Sequence, residues 1–177
     1  ATGTVNMAEL SQRIPELSDG VRTGFSLLLI LVFGIKAGLF PLFFWLPDSY
    51  PTAPGAITAV FAGLLTKVGV YAIIRTQTLL FPPEAQQGSF LLVLAGRTRV
   101  GGVLGALAQD DLRRMLSFHI VSHIGYMIFG LALFTLAGIA GAVFYVVHHI
   151  VVKTALFLVA GLVERRAGSD RLSRIGG

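Results

Sequence analysis

The chain has 177 residues, of which 54% are hydrophobic and 13% charged, with a mean hydropathy of +0.78. A soluble domain carries about 25% charged residues, so the composition argues against one and points to the membrane class. The net charge of +5 gathers on no aromatic-interleaved basic face, which argues against nucleic acid, and the absence of cysteine excludes a disulfide framework, a thiolate metal site and a cysteine nucleophile.

Residues 1–22 are polar and of mixed charge, without a signal peptide, and read as a loop or interfacial segment. Five apolar segments follow, at 23–46, 53–75, 89–108, 115–135 and 140–163. Each is near the roughly twenty residues that cross a bilayer as a helix. Within the first, Pro41 has no N–H to offer the carbonyl of Ala37, so the helix is expected to break around Ala37–Pro41, helped by Gly34 and Gly38. Broken helices at membrane depth persist only where protein or water covers them, and in transporters they line the ion path. The linkers carry turn chemistry at Pro47–Pro54, Pro82–Glu84 and Gln109–Asp111, and Gly138 with Gly141 is expected to permit a tight hairpin between the last two spans. Residues 164–177 form a basic loop. The prediction is an all-α polytopic membrane protein with five transmembrane helices, the first broken at Pro41. Arg113, Arg114, Arg165, Arg166, Arg171 and Arg174 lie on one face, against Arg13, Arg22 and Arg75 on the other. By the positive-inside rule the loops after the first, third and fifth helices are cytoplasmic, in an inner (plasma) membrane. The chain begins without methionine and in a loop, which suggests a stretch of a longer polypeptide.

The chemistry concentrates in the spans. All three lysines, Lys36, Lys67 and Lys153, fall inside apolar segments, where a lysine at the bilayer centre costs about 3 kcal/mol. Snorkelling to the headgroups suits neither Lys36 nor Lys153, each some ten residues from its span's cytoplasmic end; Lys67 fits that reading slightly better. Loss of water favours a neutral amine and a nearby carboxylate favours the charged one, so such a lysine can carry a proton under its neighbours' control. None of the nine acids lies mid-span, so the carboxylate partner of Lys36 is expected outside this chain. His119 and His123 share a face of the fourth span, and Tyr145, His149 and Lys153 form one polar stripe on the fifth. Imidazole exchanges protons near neutral pH, which suits a relay through His149 to Lys153. His148 points elsewhere and reads as structural. No metal site is expected, because the one His-x-x-x-His pair has no third ligand, and nothing marks a cofactor fingerprint.

Four runs carry a family resemblance. Lys36–Pro54 (KAGLFPLFFWLPDSYPTAP) resembles the broken seventh helix of the antiporter-like family, which includes subunits of Mrp-type multisubunit cation/proton antiporters and the proton-pumping subunits of respiratory complex I. Leu65–Arg75 (LTKVGVYAIIR) resembles its eighth helix, Gly105–Gly125 (GALAQDDLRRMLSFHIVSHIG) its ninth-to-tenth connection, and His148–Phe157 (HHIVVKTALF) its eleventh. The wording of the first two runs is most like the Mrp branch. The resemblance implies part of an inverted-repeat fold, roughly helices seven to eleven. It makes Lys36 the lysine of the seventh helix, Lys67 the bridging lysine of the eighth, and His149 with Lys153 the relay of the eleventh, with Pro41 at the helix break. The glutamate that partners the seventh-helix lysine belongs to a fifth helix absent here. Arg97 and Arg99 depart from the pattern, falling inside a span where the family is apolar.

The leading expectation is a transporter subunit that moves protons against Na+ or another monovalent cation. Its partners would be the other subunits of a membrane complex, the lipid bilayer, H+ and Na+, with no cofactor of its own. The alternative is a proton-pumping subunit of an NADH–quinone oxidoreductase or a related membrane hydrogenase complex, which uses the same lysine machinery. A lysine Schiff-base photoreceptor would need an intramembrane carboxylate counter-ion, and the chain has none.

Overall fold

A computed structural model describes residues 2–175, and no strand occurs among them. The outermost residues of the expected terminal segments, 1 and 176–177, lie outside the described residues. The helices are α1 (Met7–Arg13), α2 (Asp19–Ala37), α3 (Trp45–Ser49), α4 (Gly55–Leu79), α5 (Gly88–Leu107), α6 (Leu112–Ala132), α7 (Leu136–Ala167) and α8 (Leu172–Ile175). Five of them, α2, α4, α5, α6 and α7, are long and apolar enough to span a membrane. The core lies where α6 and α4 meet α7, built on Ala62, Val70, Ile73, Ile120, Ile124, Met127, Ile128 and Phe157. The amino-terminal segment is an exposed single helix, α1, followed by Ile14, which packs into Leu80, Phe81 and Ala85 beyond the end of α4.

Small residues let these helices approach closely, as membrane packing favours. A Cβ on Gly125 of α6 would stand 2.8 Å from both Ala95 O and Arg99 N of α5, and one on Gly69 of α4 would stand 2.6 Å from Ala37 N of α2. Gly63 of α4 faces Thr154 and the Ile150 carbonyl of α7, while Gly55 faces Gly161. These two contacts fix α4 and α7 antiparallel, and the same register one turn further brings Lys67 level with His149.

The first spanning helix is broken as expected, but the break is made by a different residue. Helix α2 stops at Ala37 because Gly38 adopts the left-handed conformation (φ 81°). Leu39 N donates to Gly34 O at 3.0 Å and Gly38 N to Ile35 O at 3.3 Å, the paired bonds of a glycine helix stop. Pro41 lies three residues further on, after a cis peptide bond from Phe40. The freed groups find partners: Trp45 Nε1 donates to Ile35 O at 3.0 Å, and Phe40 N donates to Thr98 Oγ1 of α5 at 3.0 Å. Leu39, Phe43 and Leu46 bury the connecting segment, so irregular backbone at this depth is covered by protein.

The last two spans also differ in detail from the expected hairpin. The chain turns at Leu133–Thr135, with Phe134 at φ 46° and the Thr135 hydroxyl capping α7 by accepting from Gly138 N at 3.1 Å. Gly138 lies inside α7 against Gly130, where it serves close packing, and Gly141 faces open space. At the opposite end of the bundle, α7 runs on to Ala167, and the loop before α6 pairs with the loop before α8. Leu112 N donates to Asp170 O at 2.9 Å and Leu172 N to Asp110 O at 2.7 Å. Arg113 reaches from the start of α6 to three groups at once. It pairs with Glu164 and donates to the carbonyls of Pro51 (3.4 Å) and Ala53 (3.2 Å), tying the segment after the broken helix to α6 and α7.

Candidate functional site

The polar side chains of α7 are placed by helix geometry. Tyr145, His149 and Lys153 follow at intervals of four and rise along one face, with His149 and Lys153 each 1% exposed. That face meets α6, whose own interval of four presents His119 and His123. The side chains connect between the helices. Lys153 Nζ lies 3.0 Å from His119 Nδ1, His119 Nε2 lies 3.2 Å from His123 Nε2, and His123 Nδ1 is hydrogen-bonded to the Tyr145 hydroxyl. The result is an unbroken line, Lys153–His119–His123–Tyr145, of groups that each accept and release protons. The His123 and Tyr145 rings lie nearly parallel, 12° apart in plane with centroids 5.7 Å apart.

His149 is placed differently from its expected role. Its ring centroid lies 5.0 Å from that of His123 and it is buried, yet neither ring nitrogen has a hydrogen-bond partner among the described residues. Lys153 bonds across to His119 of α6 and not to His149 on its own helix. His148 is exposed and stacks on Phe144, on the other face, as expected.

Lys67 is 3% exposed on α4, and its ammonium donates to the carbonyl of Ala62. Lys36 departs from the expectation of a buried lysine. It sits in the last turn of α2 and is exposed, because Gly34 and Ala37 take the inward face where α2 packs on Leu39 and Gly69. Lys36 and Pro41 thus share the broken-helix segment but do not join the Lys153 line. His119, His123 and Tyr145, absent from the expected relay, complete that line. Their signal in the sequence is a His-x-x-x-His pair on one span opposite a Tyr-x-x-x-His-x-x-x-Lys stripe on the next. Beyond Tyr145 the line meets Tyr126 (ring centroids 5.8 Å), over which the Arg99 guanidinium lies at 4.2 Å from the ring centre.

Five spanning helices, one of them broken, with a line of lysine, histidine and tyrosine running from buried Lys153 to partly exposed rings between α6 and α7, define a multi-pass membrane protein with titratable groups among its spans. The chain belongs to the family described as NADH:quinone oxidoreductase/Mrp antiporter, TM, whose model matches residues 1–177. It is 51% identical to a Na(+)/H(+) antiporter subunit from Alkalihalophilus pseudofirmus, over 99% of this chain and 36% of that relative. It superposes with a TM-score of 0.87 and 39% identity on a chain of the Mrp complex from Dietzia sp. DQ12-45-1b, covering 96% of this chain and 32% of that one. A chain of the membrane-bound sulfane sulfur reductase, an archaeal respiratory membrane complex, aligns with a TM-score of 0.90 at 32% identity, over 98% of this chain and 36% of that one. The 177 residues thus span about a third of the length of these relatives.

Proposed function

We propose that the chain is the proton-translocating part of a membrane subunit in a multisubunit Na+/H+ antiporter, and that protons pass through buried lysine and histidine side chains. The observation that carries the reading is the hydrogen-bonded line Lys153–His119–His123–Tyr145, with Lys67 and His149 buried beside it. Lysine and imidazole exchange protons, and in a span they are retained at a cost that function justifies. In this reading Lys153 and Lys67 hold charge, His149 lends a further imidazole through bridging water, and Lys36 at the broken helix responds to a carboxylate from outside these residues. Pro41 keeps that segment from re-forming a helix. The arginine-rich ends at Arg113–Arg114 and Arg165–Arg174 face the cytoplasm, and the membrane is the plasma membrane.

The likeness to an archaeal respiratory complex supports a second reading, a redox-driven proton pump. The higher identity to an antiporter subunit favours the first. The deciding experiment reconstitutes the purified complex in vesicles with an imposed pH gradient and adds Na+. Collapse of the gradient on Na+ addition, with no redox substrate, is expected. A gradient built only when an electron donor and acceptor are supplied would give the second reading.

A further inference from the structure

We infer that Arg99 is an electrostatic lock on the proton line: its fixed positive charge closes the Tyr145 end, so that protons do not leak through the line when no cation drives the exchange. The proposal rests on the proton line above and gives a role to the charge that lies against its far end.

The placement starts at Gly125 of α6. Having no side chain, it lets the α5 backbone come close, and a Cβ there would stand 2.8 Å from Arg99 N and from Ala95 O. Tyr126 is the next residue, and the Arg99 side chain lies over its ring, with the guanidinium carbon 4.2 Å from the ring centre. The Tyr126 ring in turn lies 6.0 Å from that of His123 and 5.8 Å from that of Tyr145. The fixed charge is therefore within about 10 Å of both rings at this end of the line. Arg97 is turned about 200° around α5 from Arg99 and makes no such ring contact among the described residues.

A line of groups that each accept and release protons conducts in either direction. With both ends open it dissipates a pH gradient whether or not Na+ is present. Guanidinium keeps its proton, so it can neither join the line nor lose its charge. No ion pair neutralises Arg99 among the described residues. A unit charge about 10 Å away, at an effective dielectric of about 20, slows the entry of a second positive charge about tenfold. Fixed positive charge beside a narrow path is also how pores that pass water hold back protons. Lys153, at the other end, carries an amine that can release its proton, which leaves that end as the working one.

The test uses the full complex reconstituted in vesicles with an imposed pH gradient and no Na+, and reads passive proton entry per assembled complex. Arg99→Gln and Arg99→Met remove the charge and keep most of the stem; each is expected to leak about tenfold faster than wild type. Arg99→Lys keeps a cation and should stay within about twofold of wild type. Adding Tyr145→Phe to Arg99→Gln removes the hydroxyl at the end of the line and should return the leak to the wild-type level, which a general loosening of the bundle would not allow. Arg97→Gln should leave the leak unchanged. A wild-type leak in both neutral variants overturns the lock, as does a leak that persists with Tyr145→Phe or is as large in Arg99→Lys or Arg97→Gln. Assembly of Arg99→Lys but of neither neutral variant also overturns it, because the charge then serves packing. Na+-driven collapse of the gradient by the wild-type complex is scored separately, so the lock can fail while the antiporter reading stands.

Discussion

His119 offers the most direct test of the proton line. Its Nδ1 is 3.0 Å from Lys153 Nζ and its Nε2 is 3.2 Å from His123, so one imidazole spans the whole distance between α7 and the next histidine. Replacing it with alanine opens a gap of up to about 8 Å, close to three hydrogen-bond lengths, which more than one ordered water must fill. A positioned proton donor or acceptor contributes about 10²- to 10⁴-fold to a transfer step. His119→Ala is therefore expected to slow proton uptake at least about 100-fold wherever that step limits the rate. The residue is exposed at the bundle surface, so little packing is lost and the amount of assembled complex should hold. The assay is Na+-driven proton uptake in vesicles containing the reconstituted complex, normalised to assembled protein, with and without added imidazole. Partial rescue by imidazole is expected, because a free ring can occupy the gap. His119→Ala transporting at more than a third of the wild-type rate would refute the line, as would a decrease no larger than that of His148→Ala.

Lys36→Ala is expected to abolish coupled transport with assembly intact, because it removes an exposed amine and not a buried packing group; the check is antiport normalised to assembled complex. On α7, His149→Ala should impair transport severely and His148→Ala mildly, while Lys153→Arg should fail because guanidinium keeps its proton; equal defects in the two histidine variants would count against the stripe. Gly125→Leu forces α5 and α6 apart where a Cβ already stands 2.8 Å from two backbone atoms, so a loss of at least about 1–3 kcal/mol is expected, read as earlier thermal aggregation in detergent. At the loop pairing, Ser173 donates to the Asp110 carboxylate and holds it below the usual carboxylate range. A depressed value means that the pairing is held while Asp110 is ionised and is lost as pH falls through that value. Asp110→Ala should give the same loosening at neutral pH, seen as faster hydrogen exchange at Leu172 and Ser173.

The spans were legible because hydropathy and length report on a bilayer directly: a run of about twenty apolar residues has few places to go other than a membrane helix. The broken helix was legible in location but not in cause. Proline announces a missing donor, and so it drew the reading to Pro41. The chain instead stops its helix at the first glycine able to turn left-handed, Gly38, and the proline follows in backbone that is already irregular. The hairpin between the last two spans was likewise legible, but not the residues that turn it. Gly138 lies near the turn in sequence, but its lack of a side chain is used against Gly130 across the helix pair, and a threonine cap with a positive-φ phenylalanine makes the turn.

The candidate site shows where one-dimensional reasoning ends. Spacing of four identifies residues that share a helix face, and by that rule His149 is the natural partner of Lys153. Spacing does not say which neighbour a side chain reaches: His119 and His123 meet at 3.2 Å along α6, whereas Lys153 turns from His149 on its own helix to His119 across the interface at 3.0 Å. The bond from Lys153 to His119 needs the facing helix, and which helix faces which is a tertiary fact. The pairing of α6 with α7 through the Gly130–Gly138 contact sets the height of His119 against Lys153. Exposure behaves the same way. Lys36 and Lys153 are both lysines in mid-hydrophobic sequence, yet α7 turns Lys153 into the bundle while α2 gives its inner face to Gly34 and Ala37. The two lysines are thus presented to different surroundings, Lys153 to histidines within this chain and Lys36 to whatever packs on the outside of the broken helix. Under the proposed transport function, Lys153 would act through histidines of this chain and Lys36 toward a carboxylate outside these residues.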